Sequence, residues 1–135
     1  MIYALDTNII IHILYGTPEV RQARDRALEQ GAQLVIPPFV NYEIRRGFLY
    51  QSAPKREKVY DEMRQKYLGD EMNVEIWERA AQIYASLMQS RYTVKDADIL
   101  IAAFCIVNGY RLVTNNTKDF ENIVGLDFED WIMPN

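Results

Sequence analysis

Four carboxylates stand where a carboxylate is conspicuous. Asp6 follows an apolar run at the N-terminus, Glu43 interrupts an apolar helix face, Asp98 opens the most apolar helix, and Asp119 follows the polar cluster Thr114-Asn115-Asn116. Taken singly, each has an ordinary explanation. An Asp between a strand and a helix commonly caps that helix, and an Asp in a first helical turn is favoured by the macrodipole by roughly 0.3–1 kcal/mol. Glu43 is harder to explain, because an ionised carboxylate on a packed face costs several kcal/mol unless a cation or several donors compensate it. Its structural partners would be Arg46, three residues on, or Arg45. Taken together, three or four converging carboxylates repel one another unless some are protonated or a cation lies among them. Oxygen-only ligands favour Mg²⁺ or Mn²⁺, and the chemistry natural to such a site is phosphodiester hydrolysis.

Other chemistry is poorly supplied. With one cysteine, Cys105, and one histidine, His12, the chain can build neither an internal disulfide nor a zinc site of the usual ligands. Cys105 lies in the apolar run Ile99 to Val107 and reads as a small buried hydrophobe, and His12 reads as a structural histidine on the first helix. The formal net charge of -4 provides no global attraction for nucleic acid, so such binding would need local patches or bound cations. The densest basic run, Arg45, Arg46, Lys55, Arg56 and Lys58, suits phosphate contacts by charge and is equally an ordinary solvated helix face. The aromatics Phe39, Tyr42, Phe48, Tyr50 and Tyr60 could stack bases or line a partner's groove, although core or dimer packing is the default at helical spacing.

The elements that must position these groups are legible in outline. Ile2 to Leu5 is a continuous apolar run suited to a buried strand, and Asp6-Thr7-Asn8 stops it and can cap a helix. After a turn at Gly16-Thr17-Pro18, Glu19 to Gln30 reads as a helix, and Leu34 to Ile36 as a second strand ended by Pro37-Pro38. Phe39 to Tyr50 has helical spacing; Pro54 opens a charged helix through Tyr67 that packs through Val59, Tyr60, Met63 and Tyr67. Met72 to Val74 is read as a brief strand, Ile76 to Met88 as an amphipathic helix, and Thr93 to Asp96 as a capping box before the helix Ala97 to Asn108, which Gly109 closes. Tyr110 to Val113 then repeats the N-terminal design, a buried strand running into a polar cluster. With strands separated by crossover helices, the expected fold is an α/β sandwich around a largely parallel sheet, one domain over residues 1–135. The site of such sheets lies beyond the carboxyl ends of the strands, where Asp6 and Thr114 meet if their strands are neighbours.

Asp6-Thr7-Asn8, Asn41-Tyr42-Glu43-Ile44, Asp98 to Ala103, and Val113 to Phe120 together resemble the PIN-domain family, and within it the VapC-type toxins, in order and spacing along nearly the whole chain. The resemblance implies a PIN-like α/β/α sandwich and a Mg²⁺- or Mn²⁺-dependent endoribonuclease acting on RNA, with structured RNA such as tRNA as the family-level substrate. Its first three ligands would be Asp6, Glu43 and Asp98, with Thr114, Asn115 and Asn116 as polar support. It further implies a VapB-like antitoxin that blocks the site, and a homodimer. Many family members carry Asp where this chain has Asn116, which leaves the fourth acidic role to Asp119 or to Asn116 and leaves open one metal ion or two.

The N-terminus lacks the pattern of a signal peptide, and no segment approaches the roughly 20 apolar residues of a membrane span, so a cytoplasmic protein is expected. Two rivals remain. Another phosphoryl-transfer enzyme, a DNA nuclease or a phosphatase using Asp6 as nucleophile, is one; the phosphatase would want an acid where Asn8 stands. A non-catalytic nucleic-acid or protein binding module on the same fold is the other, supported by the missing acid at position 116. Neutralising Asp6, Glu43 or Asp98 is expected to abolish cleavage and leave the fold intact or more stable.

Overall fold

The N-terminal apolar run forms β1 (Ile2–Leu5), the strand on which the sheet is built, in a computed structural model that describes residues 1–133. Asp6 ends the strand and caps α1 (Thr7–Tyr15), its side chain accepting from the Thr7 amide. Three helices then begin on a proline whose missing N–H is no loss in a first turn: α2 (Pro18–Glu29), α3 (Pro38–Tyr50) and α4 (Pro54–Tyr67). Between α2 and α3 lies β2 (Gln33–Val35). The chain continues through α5 (Val74–Gln89), α6 (Asp96–Asn108), β3 (Arg111–Val113), a 3₁₀ turn at Thr117–Asp119 and β4 (Phe128–Glu129).

The sheet is parallel throughout, in the order β2-β1-β3-β4. Parallel pairing with helical crossovers buries both faces, which is why β1 and β3 are short and almost wholly apolar. Leu5 pairs with Val113, and Val113 in turn with Glu129. The ladder runs one step past the strands, since the Asp6 amide donates to the Val113 carbonyl at 3.0 Å and the Thr114 amide to the Glu129 carbonyl at 3.0 Å. Asp6, Thr114 and Asp130 therefore stand in a row at the carboxyl ends of three neighbouring strands.

Helix α6 holds the other half of the site in place. It is buried on nearly every side, through Ile99, Ile101, Ala102, Ala103, Phe104 and Cys105, and packs against α5, α3 and β3. Gly109 ends it in the left-handed conformation at φ 73°, returning the chain to β3.

Several sequence expectations need correction. Met72 to Val74 is not a strand: Asn73 caps α5 by accepting from the Ile76 amide at 2.9 Å, and Val74 begins the helix, exposed. Thr93 to Asp96 is not a capping box, because Lys95 is the cap, without a side-chain bond, and α6 starts at Asp96. Val59 faces solvent while Tyr60 is fully buried, and Tyr50 is 92% exposed rather than packed in a core. β2 begins one residue earlier than expected, and Ile36 instead pairs with Leu68 at the end of α4. β4 was not foreseen.

Candidate active site

Among the described residues, Asp6 and Thr114 are the buried polar ones, and each explains the other's burial. Thr114 Oγ1 donates to Asp6 Oδ2 at 2.8 Å, the Thr7 amide donates to Oδ1 at 2.8 Å, and Asn8 Nδ2 donates to Oδ2 at 3.2 Å. A buried carboxylate needs such donors, and the pairing of Leu5 with Val113 supplies one of them from 108 residues away. Burial still pushes the Asp6 carboxyl above the usual range; the bonds from Thr114 and Thr7 oppose it, and the charge of Glu43 adds to it. Three donors converge on Asp6, and Asp6→Asn, which keeps one oxygen to cap α1, would leave an amide nitrogen facing the donors on Oδ2.

Glu43 projects from α3 toward the same place. Its Oε1 accepts from Thr7 Oγ1 at 2.8 Å, and its Oε2 lies 3.6 Å from Arg46 Nη2, a loose pair whose arginine is 58% exposed. Arg46 is thus a partial structural partner, while Arg45 pairs with Glu57 at 3.1 Å and Asp61 at 3.9 Å. Thr7 is the residue that sequence reading passed over: it joins the Asp6 cap to Glu43, and position 7 within the cap motif was its signal.

Asp98 occupies the first turn of α6, half-buried. Its carboxyl is pushed from 3.8 up to about 6, first by burial, then by the negative charges of Asp6 and Asp119, with Glu43 adding and Lys95 opposing. Three carboxylates picked out in the sequence, at the exit of β1, on α3 and in the 3₁₀ turn, therefore bear on the fourth, Asp98 on α6. Asp119 is the outermost, exposed, and held by its amide's bond to the Asn116 carbonyl at 3.0 Å. The Asn116 amide donates to Thr114 Oγ1 at 3.0 Å.

Asn115 is fixed at both ends. Its amide donates to Asn8 Oδ1 at 3.0 Å, and its side-chain nitrogen to Asp130 Oδ2 at 3.2 Å. Asp130 went unnoticed because the two-residue strand before it carries no apolar run by which to recognise it.

Among the described residues, no three His, Cys, Asp or Glu side chains are drawn into a finished metal cage. The donors nonetheless fit a hard divalent ion: all are oxygens, and Asp6 and Asp98, raised first by burial and then by neighbouring negative charge, are carboxyls that a cation would compensate.

The other singled-out residues have local roles. His12 Nδ1 lies 2.8 Å from Thr17 Oγ1 at the end of α1, a structural contact. Cys105 is fully buried, and burial pushes its thiol up, away from nucleophilic use. Arg56 stacks on the Tyr15 ring at 3.9 Å and Arg46 on Tyr42 at 5.1 Å. Lys55 and Lys58 are exposed. A groove of about 420 Å³ between α1, α3 and α4 runs from Thr7 and Glu43 to Tyr15, Phe48 and Arg56.

The PIN domain family model matches residues 3–126. Ribonuclease VapC1 of Haemophilus influenzae strain R2866 is 26% identical over 133 residues, spanning 97% of this chain and 98% of the relative. The tRNA(fMet)-specific endonuclease VapC of Salmonella typhimurium is 30% identical over 132 residues, spanning 96% and 97%. Among solved structures, VapBC2 from Rickettsia felis bound to a promoter DNA fragment superposes with a TM-score of 0.86 at 24% identity, over 97% of this chain and 99% of that one. DNA-bound VapBC from Salmonella typhimurium gives 0.84 at 25%, over 97% and 98%. With a parallel sheet carrying Asp6 and Thr114 at its carboxyl edge, and a family match over most of its length, the chain belongs to the PIN domain family, in its VapC-type branch.

Proposed function

We propose that this protein is an endoribonuclease toxin that hydrolyses RNA phosphodiester bonds with Mg²⁺ or Mn²⁺ held by Asp6, Glu43, Asp98 and Asp119. The observation that carries this reading is the convergence of those carboxylates at the carboxyl edge of the sheet, where burial first, and then the charges of Asp6, Asp119 and Glu43, push Asp98 up to about 6. When bound, the cation supplies charge compensation for the carboxylates and Lewis-acid stabilisation of the phosphoryl oxygens. The chain's own groups do the positioning. Thr114, Asn8 and the Thr7 amide fix Asp6 in place and favour its ionised form against its burial, and Thr7 Oγ1 aims Glu43. Asp98 would have to be ionised to hold the cation, so affinity is expected to fall as pH drops through about 6.

RNA meets a chain of net charge -4. Arg46, Lys55, Arg56 and Lys58 would contact its backbone; Arg45 is taken up by Glu57 and Asp61. A tRNA substrate is supported by the Salmonella typhimurium relative, a tRNA(fMet)-specific endonuclease. A VapB-like antitoxin partner is supported by structural neighbours solved as VapBC complexes. The groove between α1, α3 and α4, which opens beside Glu43, is where a segment of that partner would lie. A homodimer and a cytoplasmic location belong to the same reading; among the described residues no helix is long and apolar enough to cross a membrane.

The test is incubation of purified protein with total cellular RNA in Mg²⁺, Mn²⁺ or EDTA, wild type beside Asp98→Asn. Discrete products requiring both metal and Asp98 support the nuclease. No cleavage in any metal favours a binding module on the same fold.

A further inference from the structure

The sheet register places a fifth carboxylate beside the site. Asp130 follows β4 as Thr114 follows β3 and Asp6 follows β1, and the three strands are hydrogen-bonded neighbours. Asp130 is half-buried, and among the described residues no cation pairs with it. Its Oδ1 accepts from the Ile132 amide at 2.8 Å, fastening the chain after β4, and Oδ2 accepts from Asn115 Nδ2 at 3.2 Å. Asn115 in turn donates its backbone N–H to Asn8 Oδ1. That bond sets which way the Asn8 amide faces, so that its Nδ2 points at Asp6 Oδ2. A chain of hydrogen bonds thus joins Asp130 to Asp6 through Asn115 and Asn8. The same anchor holds the start of the loop that carries Asn116 and Asp119.

We propose that Asp130 is a positioning residue: by clamping Asn115 it orients the Asn8 amide on Asp6 and places the loop bearing Asp119 against Asp98. This rests on the nuclease reading above. Asp130 touches neither cation nor RNA in this role, and its negative charge is not what matters; an acceptor in its place is. Removing an outer-shell partner of a metal ligand typically weakens metal binding about 10–100-fold, and the lower end is expected for Asp130→Ala, two residues removed from Asp6.

The experiment compares wild type, Asp130→Ala, Asp130→Asn, Asn115→Ala and the double alanine variant. Three readouts are taken: Mn²⁺ affinity by calorimetry, hydrogen exchange at the Asn115 and Asn116 amides, and RNA cleavage across Mn²⁺ concentrations. Expected for Asp130→Ala are faster exchange at both amides, Mn²⁺ binding weakened about 10-fold, a matching rise in the Mn²⁺ needed for cleavage, and an unchanged KM for RNA. Asp130→Asn, which keeps an acceptor, recovers most of this, and Asn115→Ala reproduces it without adding to it in the double variant. Wild-type exchange and Mn²⁺ affinity in Asp130→Ala overturn the proposal, as does an Asp130→Asn protein as impaired as the alanine variant. A wild type that cleaves RNA while Asp130→Ala behaves identically overturns only the positioning role. A wild type that neither binds Mn²⁺ nor cleaves overturns the nuclease reading, and the role of Asp130 with it.

Discussion

Replacing Asp98 by Asn is expected to abolish RNA cleavage and yet stabilise the metal-free protein at neutral pH. Among the described residues the side chain has no hydrogen-bonded partner to lose, and its carboxyl is pushed from 3.8 up to about 6 by burial and by Asp6 and Asp119. A group that holds its proton more tightly folded than unfolded favours the folded state at low pH, and that advantage disappears as pH rises from about 4 to about 6. Above pH 6 the ionised Asp98 is therefore a standing penalty. The full shift corresponds to about 3 kcal/mol; partial exposure and screening reduce it to roughly 1.5–2 kcal/mol. The favourable macrodipole contribution that Asn forfeits takes back roughly 0.3–1 kcal/mol. A net gain of about 1 kcal/mol remains, which for a chain of 135 residues is a rise in Tm of about 3–4 °C. Thermal unfolding in EDTA at pH 7.5 and at pH 4 measures it: the gain should be present at the first and absent at the second. Added Mg²⁺ should raise the Tm of wild type more than that of the variant. A variant less stable than wild type at pH 7.5 in EDTA, or a gain of equal size at pH 4, would refute the electrostatic account of the cluster.

Other perturbations address the supports. Thr114→Val keeps the shape but removes the donor to Asp6 and the acceptor for the Asn116 amide; a loss of about 2 kcal/mol in urea unfolding is expected. Gly69→Ala would place a Cβ 2.8 Å from Val35 Cγ1 and 2.9 Å from Phe104 Cζ, so the Tm should fall with a cost of roughly 1–3 kcal/mol. Arg91 takes the left-handed position after α5 at φ 62°, with the Tyr92 amide bonded to the Leu87 carbonyl. Arg91→Gly relieves a penalty of roughly 1 kcal/mol and should raise the Tm without altering cleavage.

The sequence carried the two central strands and most helix limits, because their signals are local: the apolar run Ile2–Leu5, the proline opening α4, and glycine after α6. Asp6 and Thr114 were legible as strand-exit residues, and their contact followed once β1 and β3 proved to be neighbours. Glu43 was legible as a charge out of place. What stayed hidden depends on tertiary contact. β4 has two residues and draws its stability from β3 rather than from its own pattern, so Asp130 had no strand end to mark it. Asn73 was read as part of a strand because the apolar residues on either side, Met72 and Val74, mimic an alternating pattern; its side chain caps α5 instead. The raised carboxyl of Asp98 likewise emerges only on folding, when packing half-buries it and three other elements bring Asp6, Asp119 and Glu43 near it.

The central claim is that these carboxylates form one cation site. Its most direct test is Mn²⁺ soaked into crystals of the metal-free protein, with anomalous scattering to locate the ion, in wild type and in Asp98→Asn. The account predicts a peak among Asp6, Glu43 and Asp98 in wild type, and its loss or marked weakening in the variant. A peak elsewhere, or none there at Mn²⁺ concentrations that support cleavage, would contradict it.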